Sequence, residues 1–442
     1  MLSSRRNLEL WLTLLAAAVV AGAYTLVALG RTASLPAGIV QWLLQVLALL
    51  LVAHLAVRFL ARGADGVLLP IALLLNGIGY VFIARTRPGL AGLQATWTLI
   101  GIIAFAATLF VLRKGAHDLA RYKWTFAFGG VALLLLPFVP HVGRLVNGSR
   151  IWVKIGPVNF QPGEFAKIAL AVFFAAYFVE RRELLTVGTW KVGPFRLPEL
   201  RHLAPVVVAW LISLLVMVGE RDLGSSLLFF ALFVVLAWIV TGRASYLVIC
   251  ALLFVVGAVG AYHQFSHVHD RVAIWTNPWA DPSHKGYQII QGTYALAWGG
   301  TTGTGLGLGD PTRIPAVHND FIFAAIGEEL GLVGTTAILV AFLLLIGSGL
   351  RIAIRAERPF EKALAAGLTT IIGVQAFVII GGVIRVVPLT GVTLPFVSYG
   401  GSSLLANYVL LAILLRISDT SAQRLGEVSP RRVWRKKKRA AA

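Results

Sequence analysis

The sequence predicts an all-α, polytopic membrane protein: a bundle of about twelve transmembrane helices with both termini in the cytoplasm. Three observations predict this class. Apolar residues make up 58% of the 442 residues and charged residues only 13%, whereas about a quarter of a soluble domain is charged. The apolar residues form blocks of roughly 20, the length that a helix needs to cross a bilayer. The basic residues concentrate in alternate loops, as the positive-inside rule expects.

The apolar blocks give the spans in order. Helices are predicted rather than barrel strands, because a lipid-facing segment must satisfy its own backbone hydrogen bonds and no alternating pattern of barrel strands is present. The first block follows Arg5 and Arg6, is too long for a signal peptide and precedes many further spans, so we expect it to remain as an uncleaved helix. The predicted spans are 9–30, 37–61, 66–85, 92–112, 123–140, 163–180, 203–219, 225–241, 244–263, 321–350, 363–388 and 400–416.

The distribution of charge sets the orientation. With the N-terminus in the cytoplasm, 27 of the 39 basic residues fall on the cytoplasmic side. The formal charge of +20 therefore reflects loops and the basic tail, and no nucleic acid partner is expected. The segment from Arg431 to Arg439 is expected to bind anionic membrane lipid, with a cytoplasmic protein as the alternative. Cys250 is the sole cysteine, so neither an intrachain disulfide nor a Cys-rich metal site is expected.

Three unusual segments fall on the outer face under this topology: 141–162, 264–320 and 388–403. The inner loops are short and basic, apart from 181–202. Since long, non-repetitive polar sequence meets the membrane mainly at the outer face, we expect the chemistry of the protein there.

Ionisable residues inside predicted spans are costly and therefore indicate function. Glu164 and Lys167 are three residues apart near the outer end of a helix, so they share a face and can pair. They form either a self-neutralising pair or the lining of an outward cavity in which Lys167 meets phosphate. For the adjacent Glu328 and Glu329, a structural hydrogen bond to a neighbouring helix is the favoured interpretation. Asp222 either caps the helix that follows it or belongs to a site.

The segment 264–320 is the richest in candidate residues. Asp281 precedes a proline and is predicted to begin a turn and to act as a cap. The Gly-rich run 299–309 lacks the GxxxxGK[ST] pattern of a phosphate-binding loop. His318 and Asp320 are close in sequence, but no zinc-binding pattern accompanies them. Positive charge and interfacial aromatics are expected around Asp281 from Arg271, Lys285 and Arg313, and from Trp275, Trp279, Tyr287 and Trp298.

Such a site suits a substrate with a diphosphate head and a lipid tail. A carboxylate can act as general base towards a sugar hydroxyl, and cations or a divalent metal ion can stabilise a leaving diphosphate. On the residues alone, transport, lipid handling and group transfer all stay open.

Five runs of sequence carry a resemblance to a known family: NGSRIWVKIGPVNFQPGEFAKI, ERDLGSSLL, NPWADPSHKGYQIIQ, HNDFIFAAIGEELGLVG and LTGVTLPFVSYGGSSLLANY. In this order they resemble the SEDS family (shape, elongation, division and sporulation), the RodA/FtsW proteins. The resemblance spans about residues 66–416 and implies a ten-helix core at 66–418 with the large extracytoplasmic loop 264–320. It leaves 1–65 as two additional N-terminal helices, similar to RodA-type members from actinobacteria, and 419–442 as a basic cytoplasmic tail.

The resemblance implies a peptidoglycan glycosyltransferase. Such an enzyme polymerises lipid II into β-1,4-linked glycan strands with inversion, releases undecaprenyl diphosphate and works with a class B penicillin-binding protein as transpeptidase. The resemblance also implies a place in the bacterial plasma membrane with the active site outside, and a role in cell-wall elongation and cell shape. The alternatives are a lipid II flippase, a division or sporulation paralogue, and a scaffold that only recruits the transpeptidase.

The resemblance also assigns site residues. The family's essential aspartate falls on Asp281, in the stretch WADP, and is expected to be the catalytic base. A divalent cation, Mg²⁺ or Mn²⁺, is expected to assist the diphosphate, and no organic cofactor is expected. Asn277 stands where many relatives carry Asp, which argues against a mechanism that needs two carboxylates in this loop. The residues expected to bind substrate are Arg150, Gln161, Glu164, Lys167, Arg271, Lys285, His318 and Asp320.

Overall fold

Fourteen α-helices make up most of the part of the chain that the structure, a computed structural model, describes. The described residues are 2–35, 38–146, 149–156, 158–186, 190–192, 195–197 and 222–427, together with 204, 207, 208, 210, 211 and 219. The helices are α1 (Leu2–Thr32), α2 (Ile39–Leu60), α3 (Leu68–Thr86), α4 (Pro88–Val111), α5 (Lys123–Leu135), α6 (Gly163–Glu180), α7 (Arg182–Thr186), α8 (Leu223–Thr241), α9 (Ala244–Gln264), α10 (Ser266–Thr276), α11 (Tyr287–Gly299), α12 (Ile322–Arg355), α13 (Pro359–Val383) and α14 (Gly401–Arg424).

Within these described ranges, ten helical stretches are long and apolar enough to cross a membrane. They correspond to α1–α5, α8, α9 and α12–α14, so ten of the twelve predicted spans are confirmed and the chain is a multi-pass membrane protein. α6 coincides with the predicted span 163–180 and is buried along most of its length, but it carries three charged residues: Glu164, Lys167 and Glu180. The predicted span 203–219 lies mostly outside the described residues, as does the tail beyond residue 427.

The helices pack around α3, α13 and α14, whose apolar stretches are 78% buried. α1 packs on α3, α4 on α14 and α5 on α6, while α13 contacts α6, α8 and α12. Large side chains fill this core: the rings of Phe105 and Tyr408 meet edge to face with 6.4 Å between their centroids. Asn76 donates a hydrogen bond of 3.0 Å to the hydroxyl of Tyr408, which satisfies a polar group in an apolar interior. The loops of the candidate site, described below, connect the helices of this core.

The outer segment 141–162 was predicted as a loop, and it contains a small antiparallel sheet. Strands β1 (Gly143–Val146), β2 (Ser149–Ile155) and β3 (Val158–Phe160) lie in that order, with Val153 of β2 paired to Gly143 on one side and Phe160 on the other. A second hairpin, β4 (Trp190–Val192) and β5 (Phe195–Leu197), occupies part of 181–202. The sheet leads directly into α6.

Two glycines allow unusually close packing around the Gly-rich run 299–309. Gly331 has φ 64° and bends α12; a Cβ on it would lie 2.7 Å from the carbonyl carbon of Thr301. Gly30, near the end of α1, lies against the carbonyl oxygen of Leu306, and its Cβ position is 3.3 Å from Cα of Gly307. The first of the two additional N-terminal helices is therefore in direct contact with the segment 264–320.

Candidate active site

A buried ion pair lies at the start of α6. Nζ of Lys167 is 2.9 Å from Oε2 of Glu164, and both side chains are 3% exposed, so the predicted pairing is confirmed. Lys167 also donates to Oε1 of Gln375 on α13, at 3.3 Å. Gln375 in turn donates from Nε2 to the carbonyl of Thr393, at 2.8 Å. The polar contacts of Lys167 therefore continue into loop 384–400, which joins α13 to α14.

Both loop 384–400 and the segment just before α6 are hydrogen-bonded to the first turn of α14. The backbone N–H of Gln161, just before α6, donates to the hydroxyl of Ser402 at 2.9 Å. The hydroxyl of Thr393 donates to that of Ser403 at 2.9 Å, and the amide of Asn407 donates to Ser403 at 3.3 Å. The Gln161 contact is made by the backbone, so its side chain is not committed by this bond.

A second cationic centre is Arg271 of α10, on the other flank of loop 384–400. Nη1 of Arg271 donates to the carbonyl of Leu389 at 2.5 Å. Gly391, with φ 77°, lies against this side chain: a Cβ on it would be 3.6 Å from Nη2 of Arg271 and 3.9 Å from Oδ2 of Asp320. Arg271 is therefore brought close to Asp320, while Asp222 at the start of α8 also acts on its charge.

Arg271 and Asp320 affect each other's pKa. Burial lowers the pKa of Arg271, and the carboxylates of Asp222 and Asp320 oppose that shift. Burial raises the pKa of Asp320 from its ordinary 3.8 to about 6, and Arg271 opposes that shift. Asp222 also accepts the backbone N–H of Ser225 at 3.0 Å and its hydroxyl at 2.6 Å. The cap predicted for Asp222 is confirmed, and the same carboxylate adds to the field at Arg271.

His318 joins the cluster from the segment before α12. Its carbonyl accepts the backbone N–H of Tyr399 at 2.9 Å, and the two rings lie 5.9 Å apart. The hydroxyl of Ser398 donates to the carbonyl of Asn319 at 2.6 Å. Burial, helped by Arg87, lowers the pKa of His318. Residues 318–320 are thus held against loop 384–400 by backbone and side-chain bonds.

Asp281 begins a turn, as predicted, directly after the short 3₁₀ helix Pro278–Ala280. Its Oδ1 is 3.1 Å from Nδ1 of His284, and its Oδ2 accepts the backbone N–H of Lys285 at 3.3 Å. The side chain is 45% exposed. The Lys285 hydrogen bond lowers the pKa of Asp281, with a further contribution from His284. Asp281 is therefore an ionised, open carboxylate at neutral pH.

The three cationic side chains predicted around Asp281 each have another direct partner. Nζ of Lys285 lies 2.8 Å from Oδ1 of Asp270, and Nε of Arg313 lies 2.7 Å from Oδ2 of Asp310. The guanidinium of Arg271 donates to the carbonyl of Leu389 in loop 384–400. The side chains of Lys285, Arg313 and Arg271 therefore each bond to a group other than the Asp281 carboxylate. Lys285 reaches Asp281 through its backbone alone.

A junction of Arg385, Trp275 and Trp279 connects the Asp281 turn to loop 384–400. The guanidinium of Arg385 lies 5.3 Å from the ring centroid of Trp279 and donates to the carbonyl of Trp275 at 2.9 Å. The indole N–H of Trp275 donates back to the carbonyl of Arg385 at 2.9 Å. Trp279 is two residues from Asp281, so this junction sets the place of the turn.

Arg150 lies on β2 and is exposed. Among the described residues, neither a hydrogen bond nor an ion pair joins Arg150, Lys167 and Asp281 to one another. The roles assigned to these residues stay predictions. What the structure does bring together, around loop 384–400, is Lys167 from one flank, Arg271 with Asp320 from another, and the Asp281 turn through Arg385.

Glu329 has a structural role, as favoured from the sequence. It is fully buried in α12, 3.1 Å from Nε of Arg85 on α3, and it accepts the backbone N–H of Gly307 at 2.9 Å. Glu328 accepts the backbone N–H of Asp310 at 2.6 Å. The two carboxylates hold the Gly-rich run in place.

An apolar cavity of about 630 Å³ lies between α4, α5, α6 and α14. Leu112, Leu133, Phe165, Ile168 and Val409 are among the side chains that line it. Phe165 and Ile168 flank Lys167 in sequence, so α6 has one face towards this cavity and another towards loop 384–400. An apolar chamber and a buried ammonium thus share one helix.

Sequence reasoning missed Gln375 and Arg385, which connect the parts of the site. The signal for Gln375 was an amide inside the apolar span 363–388, since polar residues within a span usually bond to a neighbouring helix. The signal for Arg385 was a cation at the outer end of that span. The sequence indicated loop 384–400 only through the unusual outer segment 388–403, which overlaps it.

Comparison with known proteins identifies the family. The family model FTSW_RODA_SPOVE, described as "Cell cycle protein", matches residues 85–423. The protein named "Peptidoglycan glycosyltransferase RodA" of Mycobacterium bovis is 45% identical over 428 residues, which cover 94% of this chain and 91% of that protein. The protein of the same name in Mycobacterium leprae is 43% identical, with 95% and 92% covered.

The fold has a solved counterpart. A structure described as "Structural coordination of polymerization and crosslinking by a peptidoglycan synthase complex" superposes with a TM-score of 0.67 at 26% identity, covering 81% of this chain and 99% of that one. The resemblance read from the five sequence runs is confirmed. The chain belongs to the FtsW/RodA/SpoVE family of cell cycle proteins, the SEDS family.

Proposed function

We propose that the chain is a peptidoglycan glycosyltransferase that polymerises lipid II into β-1,4-linked glycan strands and releases undecaprenyl diphosphate. One observation carries the proposal: α6 lies between an apolar cavity of about 630 Å³ and loop 384–400, towards which it holds the buried, ion-paired ammonium of Lys167. A polyprenyl diphosphate has these two parts, an apolar chain and an anionic head. The names of the mycobacterial relatives support the same activity.

In this proposal the diphosphate binds near loop 384–400. Arg271 offers a guanidinium whose planar N–H groups match phosphate oxygens. Lys167 offers an ammonium held in place by Glu164 and Gln375. Arg150, exposed on β2, supplies further positive charge from the side of the sheet. Neutralising the diphosphate stabilises it as a leaving group.

Asp281 is the proposed base. Its carboxylate would take the proton of the acceptor sugar's 4-hydroxyl while that oxygen attacks the anomeric carbon of the donor. A single displacement of an α-linked diphosphate gives the β linkage, so one base is enough and no covalent intermediate is needed. The low pKa of Asp281 makes it a weak base in water. Substrate covering the exposed carboxylate would exclude water and raise that pKa.

A divalent cation, Mg²⁺ or Mn²⁺, belongs to the proposal as an auxiliary. Among the described residues, no group of three His, Cys, Asp or Glu side chains forms a cage for a metal ion. Mg²⁺ at phosphate sites is bound mainly by substrate phosphates and waters with one or two carboxylates, so the donor diphosphate would supply most of its ligands. When bound, the cation would add positive charge to that of Arg271 and Lys167.

The proposed setting is the bacterial plasma membrane, with loop 384–400 and the segment 264–320 on the outer face. The abundance of basic residues in the opposite loops supports this orientation. The solved counterpart belongs to a peptidoglycan synthase complex that couples polymerization with crosslinking, so we propose a class B penicillin-binding protein as partner. Resemblance to RodA rather than FtsW favours a role in elongation and cell shape.

The test is polymerisation of lipid II in detergent, where no leaflet has to be crossed, by the full-length chain with its transpeptidase partner. We expect polymer from the native protein and a loss of about 10²–10⁴-fold in Asp281→Asn, the usual contribution of a general base. Asp310→Asn is the matched control, because Asp310 is an exposed carboxylate of the same segment that pairs with Arg313.

The outcomes separate the rivals. Undiminished polymer from Asp281→Asn would remove Asp281 as the base. Absence of polymer from the native protein with its partner would favour a lipid II flippase. Normal growth of cells that carry Asp281→Ala, in a chain still bound to its partner, would favour the scaffold.

A further inference from the structure

A second cavity lies at the end of the bundle opposite to the candidate active site. Its volume is about 240 Å³, far larger than the roughly 30 Å³ that one water takes up in the liquid. It is lined by residues from α1, the α2–α3 connection, α12 and the end of α14, among them Leu8, Asp65, Arg351, Arg355, Ser421 and Glu427. Nothing in the proposed glycosyl transfer uses it.

The cavity lies at the depth of lipid headgroups. Leu8 is near the start of the apolar stretch Arg6–Thr32, and Arg351 and Arg355 are near the end of Ile322–Arg355. Ser421 is in the last turn of Gly401–Arg424. Since the ends of membrane-crossing helices meet the headgroup layer, a group that enters this cavity comes from that layer or from the water next to it.

The lining carries charges of both signs. Arg351 is exposed and has neither a hydrogen bond nor an ion pair with another described residue, and Arg355 lies 3.7 Å from Glu427. The carboxylate of Asp65 accepts the backbone N–H of Val67 at 2.9 Å, at the start of α3. Two guanidinium groups suit a phosphate, and two carboxylates suit an ammonium group. The balance fits a headgroup that carries both.

The rim of the cavity is apolar. Leu8 is 51% exposed and Leu425 is 49% exposed, and both border the charged lining. A cavity that carries four charged side chains among apolar ones, at headgroup depth, is suited to an amphiphile whose head enters while its chains stay in the bilayer. We propose that this cavity binds the headgroup of a zwitterionic phospholipid of the phosphatidylethanolamine type.

The shared chemistry is a phosphate, which can come from a lipid or from free inorganic phosphate, so the experiment compares the sources. The purified full-length chain is titrated in detergent with phosphatidylethanolamine, with phosphatidylglycerol and with inorganic phosphate, and bound lipid is counted by native mass spectrometry. We expect phosphatidylethanolamine to bind at the lowest concentration and inorganic phosphate not to displace it.

Arg351→Ala should weaken this binding about tenfold or more, the loss expected for one charge-assisted hydrogen bond. Arg358→Ala is the matched control, because it removes the same charge from the α12–α13 connection outside the cavity lining. A second variant, Leu8→Gln, tests the rim and should also weaken binding. Size-exclusion chromatography checks that each variant folds; these positions are exposed.

Three results would overturn the proposal. Equal affinity for the two lipids would mean that the carboxylates do not select an ammonium group. Displacement by inorganic phosphate would assign the cavity to a soluble anion. Unchanged lipid binding in both Arg351→Ala and Leu8→Gln would place the bound lipid elsewhere on the bundle.

Discussion

The ammonium of Lys167 lies 3.3 Å from the amide oxygen of Gln375, and this contact joins α6 to α13 beneath loop 384–400. The same ammonium neutralises Glu164 at 2.9 Å in an environment that is nearly closed to solvent. The pair is therefore both a candidate for phosphate binding and a structural requirement, and the two roles can be measured separately.

Lys167→Met is expected to lower the free energy of unfolding by about 3–5 kcal/mol, because it leaves the Glu164 carboxylate buried without its partner. The double variant Lys167→Met/Glu164→Gln should regain much of that loss while remaining inactive. Thermal unfolding in detergent, combined with the polymerisation assay, measures both effects. Strictly additive losses in the double variant would contradict the pairing.

Asp320 is expected to make stability depend on pH. Its native pKa of about 6 is above the ordinary 3.8, so the folded state holds this proton more tightly than the unfolded state. The stabilisation is complete below about pH 4 and is lost as the pH rises through about 6. Asp320→Asn stays neutral and should flatten the melting temperature between pH 4 and pH 7.

Asp310→Asn is the matched control for that experiment, with the opposite sign. Hydrogen bonds from Thr312 and Arg313 lower the pKa of Asp310, so its contribution is present at neutral pH and is lost as the pH falls through the native pKa. If the native protein and Asp320→Asn have the same profile of melting temperature against pH, burial does not raise the pKa of Asp320.

Arg385→Ala is expected to lower kcat for polymerisation with little change in the melting temperature, because Arg385 positions the Asp281 turn through Trp279 and Trp275. A loss of about tenfold corresponds to about 1.4 kcal/mol, the size expected for a cation–π contact with its hydrogen bond. Arg313→Ala, a cation of the same outer face, should leave kcat unchanged. A parallel loss of stability and activity in Arg385→Ala would indicate a purely structural role.

Gly331→Ala is expected to destabilise the protein by more than about 1 kcal/mol, since position 331 has φ 64° and an added Cβ would meet the backbone of Thr301. Gly347→Ala in the same helix is the control: apart from its chain neighbours and the backbone of its own helix, no atom lies within 4 Å of its Cβ position, and alanine favours a helix by about 1 kcal/mol over glycine. The two substitutions should shift the melting temperature in opposite directions. Equal shifts would argue against strain at Gly331.

The long helices could be predicted because a block of apolar residues encodes a membrane span by itself. α4 and α9 follow their predicted blocks within a few residues at each end. The sheet β1–β3 could not be predicted, since the pairing of Val153 with Gly143 and Phe160 depends on register across turns and not on local hydrophobicity.

Some contacts of the candidate site could likewise be predicted from the sequence, and others could not. Glu164 and Lys167 could be paired from their spacing alone, because one helix face fixes their distance. The partners of Lys285 and Arg313 could not, since a long side chain takes whichever carboxylate the tertiary fold leaves nearest. The approach of Arg271 to Asp320 depends on Gly391, which lies far from both in sequence.

The packing of Gly30 against Leu306 and Gly307 has a consequence for truncation. Removing residues 1–65 would strip a tightly fitted cover from the backbone that Arg85 and Glu329 hold. The shortened chain would then expose the backbone of Leu306 and Gly307 that Gly30 now covers. The two N-terminal helices α1 and α2 are therefore part of the packed structure, because α1 covers the backbone of the Gly-rich run 299–309.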